Sequence, residues 1–220
     1  MKTNKKITTT ILAVVIAFSI VSFTNKKARI LIVGDSISIG YTPFVKNHFA
    51  NKAEVVHNPG NAQHTGKGLA NIKEWIGDGN WDIVQINWGL WDMCYRHPDS
   101  KVQGKRDKIK GDITFELATY KAQLDSIVSI IKQSTDAKIV FVTTSYVPTK
   151  EAGRFTSDPL KYNAAAKEVM KKHGVVVNDI YKKSIAIHNK YGKGNDDVHY
   201  EEVGYKKLSE LIIKFLEKEL

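Results

Sequence analysis

The sequence predicts an α/β fold with a parallel sheet, and three observations carry that expectation. Short apolar runs rich in Ile, Val and Leu recur at residues 30–33, 53–57, 81–87, 138–144 and 175–178. A strand buried on both faces of a parallel sheet has this composition, because neither face meets water. Segments with helical spacing lie between the runs; the clearest, residues 113–134, places Leu117, Tyr120, Leu124, Ile127, Val128 and Ile131 along one stripe. The first two runs also stop abruptly at turns, Gly34-Asp35-Ser36 and Asn58-Pro59-Gly60-Asn61. A length of 220 residues suits one domain with a substantial core.

Taken in order, residues 30–33 form the first strand, which Gly34-Asp35-Ser36 breaks. A short helix over 41–50 leads to the second strand, 53–57, and a helix around 68–76 leads to the third, 81–87, which runs into Trp88-Gly89-Leu90-Trp91-Asp92. Residues 93–112 are polar, with neither helical nor strand periodicity. A loop of that length beside a strand edge reads as a substrate-facing lid or as a solvated basic loop. The long helix 113–134 precedes the fourth strand, 138–144, whose exit through Ser145-Tyr146-Val147-Pro148 reaches a Gly153-Arg154 loop expected near the pocket. A helix over 158–173, a strand over 175–178, a connector with Tyr181 and His188, and a final helix over 201–218 complete the domain, residues 28–220. Five strands interleaved with helices make a three-layer α/β/α sandwich around a flavodoxin-like parallel sheet.

Composition narrows the functional classes. Apolar residues are 42% and charged residues 25% of the chain, ordinary for a globular protein. Five of the ten net positive charges come from Lys2, Lys5, Lys6, Lys26 and Lys27, which leaves +5 over the rest. That balance, with no aromatic-and-basic module, argues against a nucleic-acid partner. Residues 1–27 read as a targeting segment, with a basic start and an uncharged, mostly apolar run from residue 7 to 23. Its 17 residues sit at the lower limit for spanning a bilayer, so a cleaved signal peptide and a membrane anchor both remain open, and both imply export. Cys94 is the single cysteine, so no internal disulfide can form and its expected role is structural.

The chemistry-bearing candidates lie at the two ends of this pattern. In open α/β sheets ligands bind beyond the carboxyl ends of the strands, where Ser36 stands. Ser36 is also a good helix cap, and the tripeptide alone admits both readings. At the far end, Asp196-Asp197-Val198-His199 precedes the last helix. A serine needs an imidazole to take its proton, and a carboxylate to fix that imidazole's tautomer, to become a nucleophile.

Gly-Asp-Ser after the first strand, with Asp-x-x-His before the last helix, resembles the SGNH (GDSL) hydrolase family of esterases and lipases over residues 29–220. The resemblance implies Ser36 as nucleophile, His199 as general base and Asp196, three residues before the histidine, as its orienting carboxylate, with no metal or organic cofactor. It also implies an oxyanion hole from the backbone N–H groups of Ser36 and Gly60, although a glycine after proline is equally ordinary turn chemistry. The family's third donor is an asparagine in Gly-x-Asn-Asp, and here Gly89-Leu90-Trp91-Asp92 departs from it. Asn87, at the end of the third strand, is the nearest amide that could substitute.

The expected activity is that of an exported serine esterase acting through an acyl-enzyme on an acyl group, such as acetyl, of a small-molecule or polysaccharide ester. Trp88, Trp91, Tyr95 and Tyr146 cluster at the strand edge, and aromatic faces suit sugar rings, though core packing explains some of them equally well. Arg96, Lys101, Lys105, Arg106, Lys108 and Lys110 could meet an acidic sugar or a sulfate. Substrate-binding candidates are therefore Trp88, Trp91, Arg96 and Tyr146. The alternatives are a lysophospholipase-like lipid esterase or thioesterase, and a non-catalytic carbohydrate-binding domain with a vestigial triad.

Overall fold

The computed structural model describes residues 27–220. The expected signal peptide or anchor, including the apolar run 7–23, lies outside the described residues, none of whose helices is long and apolar enough to cross a membrane. The chain begins with β1 (Ala28–Val33), α1 (Ser36–Phe49), β2 (Ala53–His57), α2 (Thr65–Ile76) and β3 (Ile83–Ile86). After an excursion containing β4 (Tyr95–Arg96) and β5 (Asp112–Ile113) come α3 (Leu117–Ser134), β6 (Lys138–Val142), α4 (Asp158–His173), β7 (Val176–Asn178), α5 (Tyr181–Tyr191) and α6 (Glu202–Glu219).

The five long-range strands are all parallel, in the order β2-β1-β3-β6-β7. Ile30 to Val33, Val84, Ile86 and Val140 to Val142 are almost fully buried, as the unbroken apolar runs require. On one face α1 packs on α6, which also meets α5; on the other α2, α3 and α4 pack side by side. The chain leaves β1 towards β2 on one side and reaches β3 on the other. The carboxyl ends of β1 and β3 therefore flank the switch point at which such sheets open a crevice.

Helix α3 starts at Leu117 rather than 113, because Ile113 belongs to β5, and three further elements differ from the sequence expectation. Helix α1 starts at Ser36 rather than 41, because Asp35 caps it: Ile37 N–H donates to Asp35 Oδ1 at 2.9 Å. Pro43 sits inside this helix, and its missing N–H makes the preceding residues look like a separate turn in the sequence. The connector with Tyr181 and His188 is the helix α5, which buries only Ser184 and His188 and so shows no apolar stripe. Residues 93–112 are not a bare loop. β4 and β5 pair antiparallel, Arg96 bridges to Arg106, and Tyr95 N–H donates to Gly153 O at 2.7 Å. Two-residue strands are too short to produce a periodicity.

Candidate active site

The turn after β1 is held from both sides. Gly34 N–H donates to Asn58 Oδ1 at 2.9 Å, and Gly34 O accepts from Ala62 N–H at 3.0 Å, so the loop after β2 is laced to the turn. A side chain at residue 34 would bring its Cβ to 2.6 Å from Ser38 Oγ, which leaves room only for glycine. Asp35 is buried, and burial pushes its carboxyl pKa up. Ser36 follows at the first position of α1, where its own N–H has no intrahelical acceptor and its hydroxyl stands at the sheet edge.

His199 comes to this hydroxyl from the loop before α6. Its Nε2 lies 2.9 Å from Ser36 Oγ, across 163 residues of sequence. The loop is pinned to α5: the buried His188 holds the Asp197 carbonyl through Nε2 at 2.8 Å, and Lys193 N–H donates to His199 O at 3.0 Å. Asp197 Oδ1 accepts the backbone N–H of His199 at 2.9 Å and meets its ring Nδ1 at 2.5 Å. With the proton on Nδ1 facing this carboxylate, Nε2 is left as the acceptor for the serine hydroxyl.

The carboxylate that meets the imidazole is therefore Asp197, not the expected Asp196, whose side chain is exposed. An aspartate side chain readily takes the N–H two residues ahead, and this turn carries the same oxygen to the ring. Burial pushes the Asp197 pKa up, but the His199 hydrogen bonds and the nearby Arg106 charge outweigh it, so the net direction is downwards.

Other expected residues are dispersed. Asn87 is buried with its amide Nδ2 donating to Val142 O at 2.8 Å, so it ties β3 to β6 rather than reaching Ser36. Gly60 is exposed at φ +64°, a turn residue lining a different groove with Ile39, Pro43 and His57. Trp88 is fully buried, with its indole N–H directed at Ala62 O, and belongs to the core. Tyr146 packs edge-on to His188 behind the histidine loop, outside the pocket wall. Trp91 and Arg96 do reach the pocket, the guanidinium stacked over the indole at 4.9 Å. A second serine–histidine contact, Ser38 Oγ to His57 Nε2 at 2.7 Å, lies under the turn; Ser38 is buried and its hydroxyl also donates to Asp35 O at 2.7 Å, so this pair braces the turn.

A pocket of about 420 Å³ opens over Ser36 and His199. Asn61, in the turn after β2, lines it; its Oδ1 accepts Gln63 N–H at 2.8 Å, and this bond fixes which way the amide faces. Arg106 and Arg154 join Arg96 in the wall. Of the six cations in residues 93–112, only Arg96 and Arg106 reach it, and Arg154 belongs to the Gly153 loop expected near the pocket.

The model of the GDSL-like Lipase/Acylhydrolase family matches residues 30–212, which include both the serine turn and the histidine loop. The chain belongs to this family. It is thus a serine ester hydrolase of GDSL type. Among solved structures, a lipase/acylhydrolase from Enterococcus faecalis is 22% identical over 87% of this chain and 96% of its own, with a TM-score of 0.67. An acetylxylan esterase from Geobacillus stearothermophilus is 16% identical over 85% of this chain and 93% of its own, and the acetyl xylan esterase AlAXEase 13% identical over 86% and 99%, both with TM-scores of 0.67. At these identities the likeness is one of GDSL-type fold. No curated protein sequence matches the chain.

Proposed function

We propose that this GDSL hydrolase is an exported carbohydrate esterase that removes a small acyl group through a Ser36–His199–Asp197 triad. The observation that carries the triad is the hydrogen-bonded chain from Ser36 Oγ to His199 Nε2 and from His199 Nδ1 to Asp197, open to a pocket. Ser36 Oγ attacks the ester carbonyl while its proton passes to His199 Nε2. The imidazolium is stabilised by Asp197 and then protonates the departing alcohol. Water, deprotonated by the same nitrogen, releases the acid from the acyl-serine. The developing oxyanion faces the Ser36 N–H at the head of α1 and the Asn61 amide, whose Nδ2 has no partner among the described residues. Asn61 replaces both Gly60 and Asn87 in the expected hole.

Carbohydrate is favoured over a long acyl chain because the pocket is small and walled by Asn61, Gln103 and three guanidinium groups beside Leu90, Trp91 and Val198. The two acetylxylan esterases of like fold support the same class. Export rests on the basic start and apolar run of residues 1–27. The test is a chain-length series of p-nitrophenyl esters followed by acetylated polysaccharides. Fastest turnover of acetyl, with acetate released from a polysaccharide, is expected; a rate rising towards octanoyl would instead select the lipid esterase.

A further inference from the structure

We propose that the alcohol half of the substrate carries a carboxylate, as an acylated uronic-acid sugar does, and that Arg96, Arg106 and Arg154 recognise it. This inference rests on the esterase reading and specifies its substrate. The three side chains arrive from different segments at one wall of the pocket that holds Ser36 and His199. Each is fixed in place. Arg96 stacks on Trp91 and donates through Nη1 to Gly104 O, at a glycine with φ +71° whose Cβ would come to 3.0 Å from that nitrogen. Arg106 donates through Nη1 to Glu151 Oε1 at 2.5 Å and through Nε to Gln103 O at 3.1 Å. Arg154 donates to the same Glu151 oxygen at 3.0 Å and through Nε to Leu90 O.

Within the wall the guanidinium donors outnumber the protein acceptors they meet. Glu151 is fully buried behind the pair and supplies one negative charge to two guanidinium groups. Asp35 and Asp197 also line the pocket, but Asp35 caps Ile37 N–H and Asp197 accepts from His199, and neither is hydrogen-bonded to an arginine among the described residues. Arg96 has no carboxylate partner among the described residues, and the Nη2 groups of all three arginines have no hydrogen-bond partner among them. Planar guanidinium groups held in this way, with donors left over, suit a carboxylate better than a neutral hydroxyl.

The test compares acetylated oligogalacturonate with the same oligomer after its carboxyl groups are reduced to alcohols, with p-nitrophenyl acetate as the uncharged reference ester. Wild-type kcat/KM should favour the acidic oligomer about tenfold or more, mainly through KM, and the preference should shrink as salt screens the charges. Arg96→Gln should collapse the ratio. Arg96→Lys, which keeps the charge without the planar fork, should restore part of it. Equal kcat/KM for the two oligomers in wild type, or a ratio unmoved by both variants, would overturn the inference while leaving the esterase reading intact. Absence of turnover on p-nitrophenyl acetate as well would overturn both.

Discussion

Two adjacent carboxylates show how much a single residue's placement decides. Successive side chains of a loop point apart, so only one of Asp196 and Asp197 can face the imidazole; motif spacing favours the first, and the turn that bonds His199 N–H to Asp197 selects the second. Asp197→Asn should therefore lower kcat by up to about 10⁴-fold by permitting the wrong tautomer, and Asp196→Asn should change it little. Kinetics of both variants on one activated ester check the order, and the reverse ranking refutes it. The amides separate in the same way. Asn61→Ala should cost about 10²–10³ in kcat with little change in KM, as expected for a donor used in the transition state. Asn87→Ala should instead lower stability by about 1–3 kcal/mol, because Val142 O loses its partner at the junction of β3 and β6. Denaturant titration beside steady-state kinetics tells the two apart.

At the scale of elements, the loop after β3 is tied to α2 through a buried carboxyl. Asp92 Oδ1 lies 2.9 Å from the N–H and 2.5 Å from the hydroxyl of Thr65, at the start of α2, while its Oδ2 has no partner among the described residues. Burial pushes the Asp92 pKa up from 3.8 to about 7. Because the folded value is the higher one, the folded state keeps the proton that the unfolded chain loses. The stability this contributes is full below about pH 4 and is lost as pH rises to about 7. Asp92→Asn, neutral at every pH, should remove that component of the pH dependence. Thermal unfolding from pH 4 to 8 should show a flatter profile for the variant, and an unchanged slope would contradict the assignment. Elements were legible where burial writes a pattern. The strands announced themselves by short apolar runs, and α4 spans the residues expected, with Pro159 in its first turn and Gly174 at its end. Helix α5 and the β4–β5 hairpin were hidden because the first buries two polar residues and the second is held by backbone bonds to the Gly153 loop.

Across the whole molecule, the α/β layering and the family follow from the two ends of the chain, where Ser36 and His199 already suggest one chemistry. The pocket wall followed only in part: the sequence points to Trp91, Arg96, Arg106 and the Gly153-Arg154 loop, but not to Asn61 or Gln103. Asn61, Arg106 and Arg154 come from the loop after β2, the stretch between β4 and β5, and the loop after β6, and no local spacing records that these converge. Conversely, Trp88 and Tyr146 looked like ligand surface because they sit near strand ends, and both are used to pack the scaffold behind the site. The sheet order β2-β1-β3-β6-β7 brings these loops to one carboxyl edge, so the site depends on the fold as a whole. Ser36, and not the neighbouring Ser38 with its own histidine contact, is the nucleophile in the proposed triad. An activated phosphonate ester, which a nucleophilic serine converts to a stable adduct, followed by peptide mapping with mass spectrometry, tests it most directly. Inactivation in step with one adduct on Ser36, and no adduct in Ser36→Ala, is the expected result, whereas inactivation with the adduct on Ser38 or another residue would contradict the assignment.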